Sequence, residues 1–262
     1  MVMKSFFVIC LVCVSFSLSS QTSSKQGLYW GVRIGGYFAH AKEADFYNGL
    51  HSEQSTLSSL LEQEYYYDAI AEYFNDDFSL YNQTPIMKYN PTVSVGGLLH
   101  YYISSPTAVY VHASLVQLQS KGVFQIQLAS PLQDSQFGDN LQQGSIHGKE
   151  QRFMFDFGLQ HSFIGSRSYT PYLYGGVSIL SMQVVDHTFS IANVEGSFSY
   201  YNEQSGNSYF SSFAYGPQLG CGMHFPVQKR TVFIGAEFDY VAFQHMQKDF
   251  SLQTKIMCKV EM

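Results

Sequence analysis

Six ionisable residues hold most of the chemical potential of this chain: Arg33, Arg152, Asp156, Glu237, Asp239 and Lys255. Each occupies the polar position of a stretch in which apolar and polar residues alternate, so as strand residues all six face one side of a sheet. Cations and carboxylates confined together either neutralise one another or line a path for ions. An unpaired buried charge is costly, and a small closed sheet has an interior just wide enough for its own side chains. A self-neutralising network is therefore expected, with the ion pathway as its alternative. Closure would bring Arg33 beside Lys255 and Glu237.

Nucleophilic and metal chemistry find less support. His161 and Ser162 are the tempting hydrolase pair, but adjacent strand residues point to opposite faces and cannot make a nucleophile–base contact. His100, His112 and His224 read as interior residues or interface anchors. No histidine pair has ligand spacing on one element with a third ligand nearby. No glycine-rich phosphate loop follows a strand and opens a helix. No catalytic, cofactor-binding or metal residue is therefore assigned, and an enzyme is not expected.

The elements that must position the six charges are strands. In Arg152 to Phe163, the residues Phe153, Phe155, Phe157, Leu159 and Phe163 take one parity, while Arg152, Asp156, Gly158, Gln160 and Ser162 take the other. Seven further stretches repeat the pattern: Leu28–Phe38, Thr92–Ile103, one from Ala108 that runs past Gly122 toward Leu128, Thr170–Met182, Phe213–Phe225, Val232–Tyr240 and Leu252–Val260. The inward set is rich in glycine and opposite charges, and the outward set turns aromatic near strand ends at Trp30, Tyr101, Phe163, Phe225 and Tyr240. That combination predicts an all-β fold, an eight-stranded antiparallel transmembrane β-barrel. A secreted sandwich or lipocalin-like barrel, with the apolar parity buried in a dry core, is the competing reading. Ten strands is the alternative count, with Gly122 as a break and Phe189 to Tyr201 supplying a further pair.

Connection lengths alternate as well. Tight turns are expected at 104–107, 165–168 and 226–230, and long links at 39–88, 130–150 and 184–211, with a shorter one at 244–249. Short periplasmic turns and long outer loops are the asymmetry of membrane barrels. The first long link is acidic, with Glu43, Asp45, Glu53, Glu62, Glu64, Asp68, Glu72, Asp76 and Asp77 against Lys42 and Lys88, and reads as a solvated loop. Within it, Leu57, Leu60, Leu61, Tyr65 and Ala69 have helical spacing over 55–74. Asp76-Asp77 fits no calcium-loop template. Tyr65, Tyr66, Tyr67, Tyr73, Tyr200, Tyr201 and Tyr209 read as a partner surface or as loop packing.

Lys4, the apolar run Phe6–Val14 and the small residues Ser15 to Ser20 form a secretory signal peptide, residues 1–20, leaving 21–262 as one barrel domain. Losing Lys4 moves the formal charge from −6 to about −7, which argues against nucleic acid. Cys221 and Cys258 are the cysteines beyond the signal, both at outward parity, so no disulfide is expected. A charged fraction of 13% beside 16% aromatics is unusual for a soluble domain and natural for a barrel with a lipid-facing exterior.

The stretch Tyr169-Thr170-Pro171-Tyr172-Leu173-Tyr174-Gly175-Gly176-Val177 resembles the recurrent strand opening of small outer-membrane β-barrel proteins of the Bacteroidota type, and Ser20-Gln21 resembles their signal exit. The chain departs from that family in its last residues, Cys258-Lys259-Val260-Glu261-Met262, where the family ends on an aromatic. The resemblance implies an OmpA- or OmpX-like barrel in the cell outer membrane, in contact with outer-membrane lipid and lipopolysaccharide. It also implies insertion by the barrel-assembly machinery with periplasmic chaperones. The expected role is a surface scaffold or adhesion protein acting through its outer loops. A narrow pore or hydrophobic-solute conduit is the alternative, and a lipid-modifying outer-membrane enzyme ranks third.

Overall fold

The structure is a computed structural model that describes residues 26–50, 56–81, 85–130, 140–163, 168–199, 210–227, 230–244 and 250–262. The expected signal peptide and Tyr200, Tyr201 and Tyr209 lie outside the described residues. The strands are β1 (Gly27–Phe38), β2 (Phe78–Leu80), β3 (Lys88–Tyr89), β4 (Thr92–Ser104), β5 (Thr107–Leu128), β6 (Leu141–Ser162), β7 (Thr170–Ile191), β8 (Val194–Ser197), β9 (Ser211–Val227), β10 (Arg230–Phe243) and β11 (Phe250–Glu261). Eight of them form a closed antiparallel ring in the order β1, β4, β5, β6, β7, β9, β10, β11 and back to β1. The short strands β2 and β3 add to the far end of β5, and β8 adds to the far end of β7.

Eight strands close the ring, not ten. β5 passes through Gly122 without a break, paired with β6 on both sides of it. Residues 189–197 add no further strands to the ring; β7 stays paired with β6 through Ser190, turns at Ala192, whose φ is 52°, and forms a short hairpin with β8. The long links are also shorter than expected. β6 begins at Leu141 and β7 continues to Ile191, so parts of 130–150 and 184–211 are strand.

The three 22-residue strands β5, β6 and β7 change character along their length. In the half next to the 104–107 turn, apolar side chains face outward and polar ones inward. Val109, Leu115, Phe153, Phe155, Phe157, Leu159, Leu173, Val177 and Ile179 are exposed, while His112, Asp156, Arg152 and Ser178 are buried. A row of glutamines then crosses the three strands in register, Gln117 opposite Gln151 and Gln151 opposite Gln183. Beyond that row the faces exchange roles. Gln119, Lys121 and His147 face outward, whereas Leu118, Phe124, Ile126, Ile146, Phe189 and Ile191 are buried inside. The period of two continues along β5 and β6, while in β7 a bulge at Val185 interrupts it once before it resumes.

This second, apolar interior is capped by the chain between β1 and β4. That chain forms α1 (Ala41–Ala44), a 3-10 turn (Asp45–Tyr47), α2 (Leu57–Leu61) and α3 (Glu64–Phe74). Thr56 starts α2 by accepting the Ser59 N–H at 3.1 Å. Asn75, at φ 50°, ends α3 in the left-handed conformation that a C-terminal cap requires. The expected single helix is thus two, broken at 62–63. The break rotates the second segment so that Tyr65 points to solvent and Ile70 takes the buried position. Leu57, Leu60, Leu61 and Ile70 bury their faces with Phe189, Val194 and Phe198. The acidic link expected to be a solvated loop is therefore, over its described part, a folded cap. Hydrophobic burial across the mouth of the ring is the reason.

Bulky rings fill the other half, and glycines make room for them. A side chain at the buried Gly220 would collide with the ring of Tyr174, which stands opposite it on β7. Gly220→Val is expected to destabilise the fold by about 1–3 kcal/mol through overpacking. Tyr174→Ala combined with it should restore part of that loss in denaturant unfolding, because the two groups compete for one space.

Candidate functional site

The buried polar interior of the ring is the site, and it is layered. Nearest the cap, Arg152 on β6 donates from Nε to Glu150 at 2.5 Å and from a terminal nitrogen to Glu43 at 2.7 Å. Glu43 arrives from outside the sheet, on α1, and its buried carboxylate meets groups of β6 and β11. Ser251 and Gln253 of β11 donate to its other oxygen. Tyr47 and Tyr89 donate to Glu150 at 2.7 and 2.9 Å. One guanidinium thus faces two carboxylates, and hydroxyl and amide donors satisfy the remaining lone pairs. The aromatic rings of Tyr37, Tyr89 and Phe243 pack within 6 Å of the Arg152 guanidinium and supply cation–π contacts.

The middle layer pairs three cations with three carboxylates. Arg33 bonds Glu237 at 2.5 Å and Asp156 at 3.4 Å. Lys255 bonds Asp239 at 2.6 Å, with Asp156 at 3.4 Å and Glu237 at 3.8 Å. Lys259 bonds Glu237 at 2.8 Å. Ser178 donates to Asp156 at 2.6 Å and the Gln218 amide to Asp239 at 2.9 Å. Tyr110 donates to Gln218 at 2.9 Å, closing the layer on its other side. All six charged groups are buried.

The third layer lies toward the chain termini. His100 Nδ1 is 2.8 Å from Glu261 and its Nε2 is 3.1 Å from His112 Nε2. Tyr102 donates to Glu261 at 3.1 Å. Tyr110, Tyr172, Tyr174 and Phe233 pack beside them as an aromatic cluster.

All six residues singled out from the sequence lie inside the ring, but not in one network. Arg33, Asp156, Glu237, Asp239 and Lys255 share the middle layer, whereas Arg152 belongs to the layer above with Glu43 and Glu150. Closure sets Arg33 opposite Lys259, and Lys255 opposite Tyr37 and Glu237, so Arg33 reaches Glu237 diagonally rather than standing beside Lys255. Glu150 fell within the expected 130–150 link, whereas Lys259 was readable from inward parity in its strand. Glu43 was not, because it lies in a connection where no parity exists. His161 and Ser162 face opposite sides: His161 Nδ1 bonds Thr107 at 3.0 Å while Ser162 is buried inside. Cys221 and Cys258 are both free thiols. Among the described residues no group of three histidine, cysteine or carboxylate side chains is arranged to hold a metal ion.

No family model matches this chain, and no curated protein matches it. Solved structures do. The Neisserial surface protein A is similar with a TM-score of 0.45 and 10% identity, covering 92% of this chain and 98% of that one. The outer membrane protein OprG from Pseudomonas aeruginosa is similar with a TM-score of 0.39 and 11% identity, covering 91% and 97%. Ail, the attachment invasion locus protein of Yersinia pestis, is similar with a TM-score of 0.34 and 10% identity, covering 90% and 98%.

Arg152 holds the cap to the ring. Arg152→Met leaves Glu43 and Glu150 buried without their cation and is expected to cost about 3–5 kcal/mol. Adding Glu43→Gln and Glu150→Gln should return most of it. Hydrogen exchange in residues 41–47 checks the assignment, since protection there should fall in the single variant and recover in the triple one.

Proposed function

We propose that this protein is an integral outer-membrane β-barrel whose interior is closed by its own side chains and whose capped outer extension is a surface scaffold that meets an extracellular partner. The inversion of faces at the glutamine row carries the reading. Below it, an apolar belt surrounds the whole ring: Trp30, Ile34, Val95, Leu99, Phe155, Phe213, Leu219, Ile234 and Ile256 are each more than a third exposed. A belt of that extent far exceeds the apolar patches of soluble monomers. Hydrocarbon is its natural solvent, and a closed ring leaves no unpaired sheet edge within it. Above the row, polar residues outside and apolar residues inside suit a structure standing in water. The 104–107 turn and both described ends of the chain lie at the opposite end of the ring, the end assigned to the periplasm.

The salt-bridged interior favours a scaffold over a conduit, because three stacked layers of mutually bonded side chains occupy the ring from end to end. The proposal includes insertion by the barrel-assembly machinery with periplasmic chaperones, after removal of residues 1–20.

Unboiled protein should migrate differently from boiled protein on a detergent gel and fractionate with outer membranes; recovery as a soluble secreted protein would overturn the location. Phe157→Arg in the belt should cost about 2–4 kcal/mol of folded stability in lipid vesicles, with Ser162→Ala costing little. Equal tolerance at both positions would contradict the assigned faces. Purified protein in planar bilayers should be electrically silent, and a steady ion current would replace the scaffold with a pore.

A further inference from the structure

Three histidines lie above the glutamine row among the described residues, and they differ in setting. His147 is exposed on the outer face of β6, and His40 is half-buried at the start of α1, where its ring accepts the Lys42 N–H. His187 of β7 is buried, at the place where the cap meets the β7–β8 hairpin. Its ring stacks on Phe198, just past β8, with centroids 3.9 Å apart, and meets the Tyr47 ring edge-on at 5.2 Å. Its Nε2 lies 3.1 Å from the Tyr47 carbonyl in the 3-10 turn of the cap. A carbonyl only accepts, so that nitrogen carries a proton and the turn hangs on it. The hairpin is tied to the same residue, since the Phe198 N–H donates to the His187 carbonyl at 2.9 Å. Gly148 stands opposite on β6, and a side chain there would collide with the Tyr47 ring.

The charged groups on the elements packed around His187 fall into two sets. Glu43 of α1 and Glu150 of β6 are bonded to Arg152, and Tyr47 and Tyr89 give their hydroxyls to Glu150. Asp45 of the turn, Asp186 of β7 and Glu195 of β8 are exposed, and Lys149 of β6 is half-buried. Burial is the largest influence on the imidazole and favours its neutral form. Donation to the Tyr47 carbonyl pulls the other way without prevailing, and the group titrates at about 4 rather than its ordinary 6.5.

We propose that His187 is an acid-sensitive latch on the cap: neutral, it clamps the 3-10 turn to the β7–β8 hairpin, and protonated, it releases them so that the cap swings open. The charge breaks the latch, not the loss of a hydrogen bond, because a buried imidazolium regains its water only when the cap lifts. Glu43 keeps α1 on Arg152, which makes α1 the hinge. Leu57, Leu60, Leu61 and Phe189, buried under the closed cap, are the apolar surface that opening uncovers. An open cap takes up the proton near pH 6.5 and a closed one only near 4, so closure is fully present above 6.5 and weakens as pH falls toward 4. The latch concerns the cap alone and stands apart from where the ring resides.

The test is amide hydrogen exchange of the refolded full-length protein at pH 7.5 and pH 5, corrected for the intrinsic pH dependence of exchange. In wild type the opening equilibrium of residues 45–50 and 57–74 is expected to rise about 30-fold between the two, while β5 and β6 below the glutamine row stay protected. His187→Gln keeps a donor for the Tyr47 carbonyl but cannot titrate, so its cap should open equally at both pH values. An equal acid response in wild type and this variant assigns the effect to Glu43 and Glu150 and overturns the latch. Loss of protection in the ring together with the cap overturns it as well, since the whole fold then opens at once. A histidine NMR titration of wild type decides the matter however the variant folds: a His187 midpoint near 4 supports the latch, and one near 6.5 overturns it.

Discussion

A ring of eight strands encloses room for side chains and little else, and that narrowness governs the rest of the molecule. Charges inside it are removed from water, so each must find its counter-charge within the ring. Arg33, Lys255 and Lys259 meet Asp156, Glu237 and Asp239 because the four strands that carry them, β1, β6, β10 and β11, converge at one level. Tyrosines fill the volume between, with glycines opposite their rings. Replacing the pairs with apolar residues would not obviously weaken such an interior. What the pairs specify is register, since a slip of one residue would turn every one of these charges outward.

In the proposed membrane reading the same backbone answers to two solvents. Strands β5 and β6 keep one period of two from end to end, and β7 resumes it after a bulge at Val185, while the outer face changes from phenylalanine and leucine to glutamine and lysine. The inner face must change in step. A polar interior continued above the glutamine row would leave the extension without a hydrophobic core, and an apolar interior below it would leave the ring without its charge pairs. Arg152 sits at the changeover, level with Val116 and Met182 across its neighbouring strands. It bonds polar partners while its ring neighbours already belong to the apolar side.

Glu43 links the two halves. As a cap residue it is carried by α1, yet its carboxylate is bonded by Arg152 of β6 and by Ser251 and Gln253 of β11. Docking the cap therefore completes the upper layer, and an intact upper layer holds the cap. In the proposed scaffold this coupling keeps the outer surface fixed relative to the ring, so a partner meets a formed surface and loses less freedom on binding.

Strand number, the face each residue takes and the membership of the interior were readable from Arg152 to Phe163 and its seven counterparts, because a period of two is local and repeats in sequence. The length of β6 and β7 was less legible. Above the glutamine row the polar and apolar parities exchange meaning, so Gln143 to Gln151 no longer resembles a lipid-facing strand and reads as a loop. Which charges pair was decided by register and reach, as with Arg33 opposite Lys259. The burial of Glu43 and the break between α2 and α3 were decided by tertiary structure alone. A connection has no alternation to reveal which side chain turns inward, and only the shape of the ring's mouth, with Arg152 waiting below it, selects that one acid from a run of acids.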